Sequence, residues 1–267
     1  MRGRHWQEAY SASMGAVDVL WTAGWDSTFR VADLLLNQDA VVQPWYVIDR
    51  HRRSTETELA SQDRIRACLA DLDCTTAHRL LPVRLVKVHE IPSAPAITAA
   101  FQKLREKQFL GEQYEWLARL AEHQQLTLEL SIHRDDRAHD FLVADVEERD
   151  GSFRLVPHPG DPALEVFRRF RFPLFDTTKL DMENVARDGG FSAAMELTSF
   201  CHTPVRGKPC GYCNPCRYTF DEGLGRRVPA RTLRRRVQVG ALDAVWFVRQ
   251  ASRSYRLRFR RSSSTNA

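Results

Sequence analysis

Apolar positions along the chain follow two alternating periods. Short, mostly apolar runs of strand length occupy 17–21, 41–48 and 85–88. Between them lie longer segments with apolar residues every three or four positions. In 27–37, Phe29, Val31, Leu34, Leu35 and Leu36 predict a helix packed on a sheet. A second helix is predicted over 55–72, opened by a capping box of Thr55 and Glu58. Gly111 separates two further helical stretches, 95–108 and 112–124, and Tyr114, Leu117 and Leu120 share one face of the latter. A fourth strand is expected at 126–132. The runs 141–147 and 153–156 predict a hairpin or connector around Asp150-Gly151. A strand at 172–175 and a helix at 179–187 follow. This alternation predicts an α/β fold with a doubly wound, mostly parallel, Rossmann-like sheet. Such sheets bind ligands at the carboxyl ends of their strands.

Composition leaves that expectation in place. With 43% apolar and 27% charged residues over 267 positions, collagen, disulfide-scaffold and largely disordered classes are excluded. No run approaches the roughly 18 apolar residues of a membrane-spanning helix. The basic start leads into no apolar signal segment, so a cytoplasmic protein without a membrane partner is expected. Charge is distributed unevenly. Residues 226–267 hold twelve Arg and one acid, Asp243, while the remainder is net acidic. A nucleic acid or another acidic partner suits this tail; a merely solvated basic tail is the alternative.

Four of the six cysteines, Cys201, Cys210, Cys213 and Cys216, fall within sixteen residues. In a cytosolic chain such clustering points to metal ligands before disulfides. Two-residue gaps let successive thiolates reach one ion, and Gly211 and Pro215 favour the tight bends required. Four sulfurs complete a closed tetrahedral Zn2+ site of structural role. An iron–sulfur cluster and a metal-free group are the alternatives; the run lacks the further Cys of the bacterial ferredoxin spacing. Cys68 and Cys74 read as ordinary helix-associated thiols.

The segment Thr22-Ala23-Gly24-Trp25-Asp26-Ser27-Thr28 follows the first strand, where a doubly wound sheet binds phosphate. Small residues admit a phosphate to the backbone, Gly24 is free to take a positive φ, and the following helix directs its positive end there. The hydroxyls of Thr22, Ser27 and Thr28 are donors, and Asp26 is a ligand for Mg2+ or a helix cap. A small-residue turn with a cap is the plainer reading. His133, Asp135 and Asp136 follow the fourth strand and suit substrate orientation or proton transfer, or form a polar turn. Asp49 ends the second strand as a candidate for ribose or metal. His51 with Arg50, Arg52 and Arg53 offers charge to an acidic substrate, or a solvated run. Gln113 and Tyr114 are within range of a nucleotide, or belong to the core.

Taken together, these pieces resemble a known family. The loop is similar to the S-G-G-x-D-S/T pyrophosphate loop of the N-type ATP pyrophosphatases, the PP-loop enzymes of the adenine nucleotide alpha hydrolase-like, HUP-type superfamily. The Cys spacing of eight, two and two resembles that of the 7-cyano-7-deazaguanine synthases of queuosine biosynthesis. Pro173-Leu174-Phe175-Asp176-Thr177-Thr178-Lys179 and Glu196-Leu197-Thr198-Ser199-Phe200-Cys201 look like that family's Pro-Leu…Lys and Thr-x-Ser-Cys segments. The resemblance covers roughly residues 17 to 222. Several positions depart from it. Thr22 and Ala23 replace Ser and Gly, and Ala resists a positive φ by about 1 kcal/mol. Asp49-Arg50-His51-Arg52-Arg53 stands where the family has Tyr-Gly-Gln-x-His-x-x-Glu. The Arg-Asn motif is absent, and the Tyr-Pro-Asp-Cys-Arg pocket segment is only echoed in Asp135-Asp136-Arg137-Ala138-His139-Asp140.

The resemblance implies an ATP-dependent ligase that adenylates a small-molecule carboxylate and uses ammonia to form an amide or nitrile. Thr22, Ala23, Gly24, Trp25, Asp26, Ser27, Thr28 and Asp49 would serve ATP, with Asp26 sharing Mg2+ and Lys179 neutralising phosphate charge. Asp26 and Lys179 are the catalytic candidates. The implied organisation is a PP-loop domain over 1–197, a zinc-binding Cys motif packed on it over 198–225, and an Arg-rich tail over 226–267. Competing readings are a PP-loop enzyme modifying tRNA or a protein through an adenylated intermediate, and a non-catalytic zinc-stabilised nucleotide-binding module. A homodimer stays open as an assembly.

Overall fold

The computed structural model describes residues 15–242 together with 244 and 245. Asp243 and six of the tail's arginines, Arg249, Arg253, Arg256, Arg258, Arg260 and Arg261, lie outside the described residues. The chain forms two compact units, Met1–Ser199 and Phe200–Ala267. Among the described residues no helix is long and apolar enough to cross a membrane.

The first unit is built on strands β1 (Val17–Leu20), β2 (Val42–Ile48), β3 (Arg84–Lys87) and β4 (Leu128–Glu129). A hairpin of β5 (Val146–Arg149) and β6 (Ser152–Leu155) follows, then β7 (Phe170–Arg171). The main sheet runs β3-β2-β1-β4-β7, and all four pairings are parallel. From β1 the order runs outward through β2 and β3 on one side and through β4 and β7 on the other. The reversal between β1 and β4 is where such sheets open a crevice for ligands. The connections carry α1 (Trp25–Leu36), α2 (Thr55–Leu72), the short α3 (Thr76–Arg79), α4 (Pro95–Lys107) and α5 (Gln113–Gln124). Further along lie α6 (Arg137–Leu142), α7 (Lys179–Asp188) and α8 (Ser192–Glu196).

β2 is buried along nearly all its length, as its apolar run requires in a sheet covered on both faces. Tyr114, Leu117 and Leu120 of α5 are buried as their spacing predicts, and they join Leu128, Leu130, Phe167, Phe170 and Phe172 in the main core. Each such Leu or Phe removed from water contributes about 1.5–3 kcal/mol. Asp150 and Gly151 both take positive φ, 55° and 70°, and close the β5–β6 hairpin tightly.

Four boundaries differ from expectation for identifiable reasons. The fourth strand covers Leu128–Glu129 instead of 126–132, because β1 ends at Leu20 and residues 130–132 lose a partner on that side. The strand expected at 172–175 lies at Phe170–Arg171; Phe172 exchanges hydrogen bonds with Phe153, and Pro173 then ends the pairing for want of an N–H. The run expected from 141 starts as helix, since the Asp136 carboxylate accepts from Ala138 N–H and caps α6. The capping box of α2 is absent. Ser54 is its N-cap residue, and the buried Glu58 carboxylate instead accepts from Ser54 and Tyr46 hydroxyls, both at 2.7 Å.

The second unit centres on the cysteine cluster, with α9 (Asn214–Thr219) beginning one residue after Cys213. Residues 233–242 are helical. Arg231 Nε donates to Gly211 O at 2.9 Å and Arg235 Nε to Cys210 O at 3.0 Å, while Val228 and Val239 pack against the cluster. The start of the basic segment is therefore hydrogen-bonded to the cysteine turns.

Candidate functional site

The carboxyl ends of β1 and β4 face each other across the order reversal. Thr22, Gly24, Asp26 and Ser27 from the first connection line a cleft there with Leu20, Leu117, Leu130 and Ile132. Arg52, Gln113, Tyr114, Ser131 and Asp136 complete the lining.

The loop is held from several sides. Thr22 N–H donates to Ser27 Oγ at 3.3 Å, and the two hydroxyls also lie 3.3 Å apart. Gln62 Nε2 donates to Trp21 O at 2.6 Å, and Ser199 N–H donates to Ala23 O at 2.7 Å. Ala23 takes the positive φ, 56°, while Gly24 sits at −72° as the residue preceding α1. The expectation of a positive φ at Gly24 is thus corrected by one position. What Gly24 supplies is room: a Cβ there would meet Thr22 Oγ1 at 3.3 Å. No side chain caps α1, so its first-turn amides, which a helix leaves without intrahelical partners, face the cleft end. That geometry suits an anion.

Of the residues expected to meet a nucleotide, Thr22, Gly24, Asp26 and Ser27 line the cleft, and four do not. Ala23 and Trp25 are buried. Thr28 is 0% exposed, and its hydroxyl accepts the buried Trp21 indole N–H at 3.0 Å, so it holds the core. Asp49 accepts from His51 N–H at 2.8 Å in a turn after β2.

Charged groups converge on Asp26. Its Oδ1 is buried without a hydrogen-bond partner, 3.6 Å from His133 Nε2 and 3.7 Å from Lys179 Nζ. Asp135 N–H donates to His133 Nδ1 at 3.2 Å, which in the neutral ring puts the proton on Nε2, facing Asp26. The Asp135 carboxylate lies 3.9 Å from the same ring. Burial pushes the Asp136 carboxyl above the usual carboxylate range, against the Ala138 N–H that it accepts. Lys179 is the first residue of α7, after a capping box of Thr178 and Asp181. A cation at a helix N-terminus opposes the macrodipole, so its placement serves the carboxylate it faces and not the helix.

Sequence reasoning passed over Ser131, because nothing in the pattern signals that β4 stops at Glu129. Its Oγ is buried without a hydrogen-bond partner and lines the cleft. Arg52 also lines the cleft while its Nε lies 3.2 Å from Glu58 Oε1, so it is more than part of a solvated run. Asp26 Oδ1, faced by two basic groups, and Ser131 Oγ, buried without a hydrogen-bond partner, thus offer polar groups to a ligand beside an uncapped helix start.

In the second unit the sulfurs of Cys201, Cys210, Cys213 and Cys216 all lie within 4.8 Å of one another, a group that can hold a metal ion. Three of the separations are 3.7, 3.9 and 3.5 Å. A tetrahedron with metal–sulfur bonds of about 2.3 Å has edges of about 3.8 Å. Backbone N–H groups of Cys210, Gly211, Tyr212 and Cys213 donate to these sulfurs at 3.1–3.3 Å, which favours thiolates. Gly211 takes φ 83°, and a Cβ there would meet Pro229 O at 3.1 Å, so glycine is needed in this turn on both counts. No protein-family model matches the chain, and no curated protein matches it in sequence.

Proposed function

We propose that the chain is an ATP-dependent carbon–nitrogen ligase that adenylates a carboxylate and joins it to ammonia, giving an amide or nitrile in the manner of the 7-cyano-7-deazaguanine synthases. One observation carries this reading. An uncapped helix start, the Thr22 and Ser27 hydroxyls and a carboxylate faced by Lys179 and His133 meet at the order reversal of a parallel sheet. This arrangement suits a nucleotide's phosphates, as a doubly wound, Rossmann-like HUP-type fold would use it.

Thr22, Ser27 and the first-turn amides of α1 would receive pyrophosphate oxygens. Asp26 would hold Mg2+, which supplies charge neutralisation on the phosphates. Lys179 and the His133 Nε2–H would hold the Asp26 carboxylate in place. In adenylation a substrate carboxylate oxygen bonds to the α-phosphorus, and the bond from that phosphorus to the bridging oxygen breaks with its electron pair on pyrophosphate. Ammonia then bonds to the acyl carbon, AMP leaves with the C–O electron pair, and one proton is lost from nitrogen. Asp136 lines the cleft with a raised pKa, which suits a carboxylate receiving that proton. Arg52 and Gln113, which line the cleft, would orient the carboxylate and a polar ring edge. A nitrile requires a second ATP to activate the amide oxygen. The four cysteines would hold a structural Zn2+, closed by its ligand count to any catalytic role.

The test is mass spectrometry of the full chain with ATP, Mg2+, ammonium and 7-carboxy-7-deazaguanine, beside an Asp26→Ala control. The expected result is an amide or nitrile with stoichiometric AMP and pyrophosphate, lost in the control. Absence of AMP with this substrate and with other small carboxylates would overturn the ligase reading.

A further inference from the structure

The basic character of residues 200–242 has no part in that chemistry. Nine Lys and Arg there face two acids, Asp221 and Glu222. Arg231 and Arg235 are committed inward, to carbonyls of the cysteine turns. Arg206, Lys208, Arg217, Arg226, Arg234 and Arg236 are exposed. An excess of exposed cations of this size calls for a polyanion.

Aromatic residues among them narrow its kind. Phe220 is 61% exposed and Tyr218 40%. The Phe220 ring does not hang loose: it lies against Gly225, where a Cβ would meet the ring at 2.8 Å. Gly225 has φ −57° and ψ −24°, a conformation open to any residue. The absence of a side chain at 225 therefore leaves room for the ring where it lies, and no backbone reason calls for glycine there. Arg217 precedes Phe220 by one helical turn, and Arg226 follows Gly225 directly. A largely exposed aromatic ring that lies against a glycine, with Arg217 and Arg226 close to it in sequence, suits a stacking platform for an unpaired base. Duplex bases, already stacked on one another, offer it no face.

We propose that the Arg217–Phe220–Arg226 surface of the cysteine unit binds single-stranded nucleic acid, with a base stacked on Phe220 and the flanking phosphates on the arginines. The surface is independent of the ligase reading. The experiment is fluorescence anisotropy with the full chain, titrated against 20-nucleotide oligouridylate, oligothymidylate, a 20-base-pair duplex and phosphatidylserine-containing vesicles over a range of salt. Both single strands are expected to bind more tightly than the duplex. Phe220→Ala should weaken single-strand binding about tenfold, leaving the salt dependence unchanged. Arg217→Gln with Arg226→Gln should lower the log–log salt slope by about 1.4, near 0.7 for each phosphate no longer neutralised. Phe220→Leu keeps an apolar side chain on Gly225 without a stacking face, and it decides the matter if the alanine variant loses metal or folds poorly. Single-strand affinity unchanged in Phe220→Leu, or tighter binding to duplex or vesicles, overturns the proposal.

Discussion

Two neighbouring hydroxyls in the loop have opposite duties. Ser27 lines the cleft, whereas Thr28 takes the indole N–H of a fully buried Trp21. Replacing Thr28 by Val keeps shape and removes the acceptor, leaving a buried donor orphaned. The expected cost is about 1–3 kcal/mol in urea unfolding. In the sequence both hydroxyls read as phosphate donors, because composition cannot tell which side of a helix start faces solvent. The sequence likewise points to Gly24 for the positive φ, whereas the chain places it on Ala23. Glycine marks two different needs, conformation and space, and here the need is space. Cys201, Cys210, Cys213 and Cys216 were readable from spacing alone, since ligand chemistry restricts the residue type at each position.

Between elements, the Arg30–Glu129 pair is the firmest fastening at the order reversal. Arg30 Nε and Nη2 donate to the two oxygens of Glu129 at 2.7 and 3.0 Å, joining α1 to β4 where both side chains are largely buried. Glu129→Gln removes one of the two acceptors and the charge opposite Arg30, leaving Asp33, 3.2 Å away, as the carboxylate it faces, and should cost about 3 kcal/mol in thermal or urea unfolding. The double change Arg30→Met with Glu129→Leu should recover most of that loss, because no charge is then stranded. Elements with their own period were legible: Thr55–Leu72 has the expected bounds, and the strands β1 to β3 lie within a residue of theirs. The end of β4 was not, since it depends on where a strand distant in sequence stops. Asp49 and Asp136 show the same limit. Asp49 follows the second strand as expected and Asp136 precedes a helix the pattern did not give, and each spends a carboxylate oxygen on a backbone N–H that the pattern does not reveal.

For the whole molecule, the four-cysteine group, which can hold a metal ion, organises a stretch poor in other structure. Its buried residues are few, Cys201, Val205, Cys210 and Cys216 chief among them, so little apolar burial supports the fold without an ion. Cys213→Ser should lose zinc by elemental analysis and lower soluble yield, instead of reducing turnover in a well-folded chain. A folded, zinc-replete Cys213→Ser protein without activity would contradict a structural role. The α/β class was legible because alternating periods leave few architectures open, and strand order was not, since order is decided by pairings between distant segments. One such long-range contact carries a consequence for synthesis. The carbonyl of Ala23, at the head of the unit, is satisfied by the amide of Ser199, its last residue. The central strand and its loop leave the ribosome before the rest of this unit, yet the loop lacks its Ser199 hydrogen bond until nearly the entire α/β unit has been translated. A nascent chain stalled short of residue 199 would therefore present an incomplete cleft, and competence for any ligand there arrives late in synthesis.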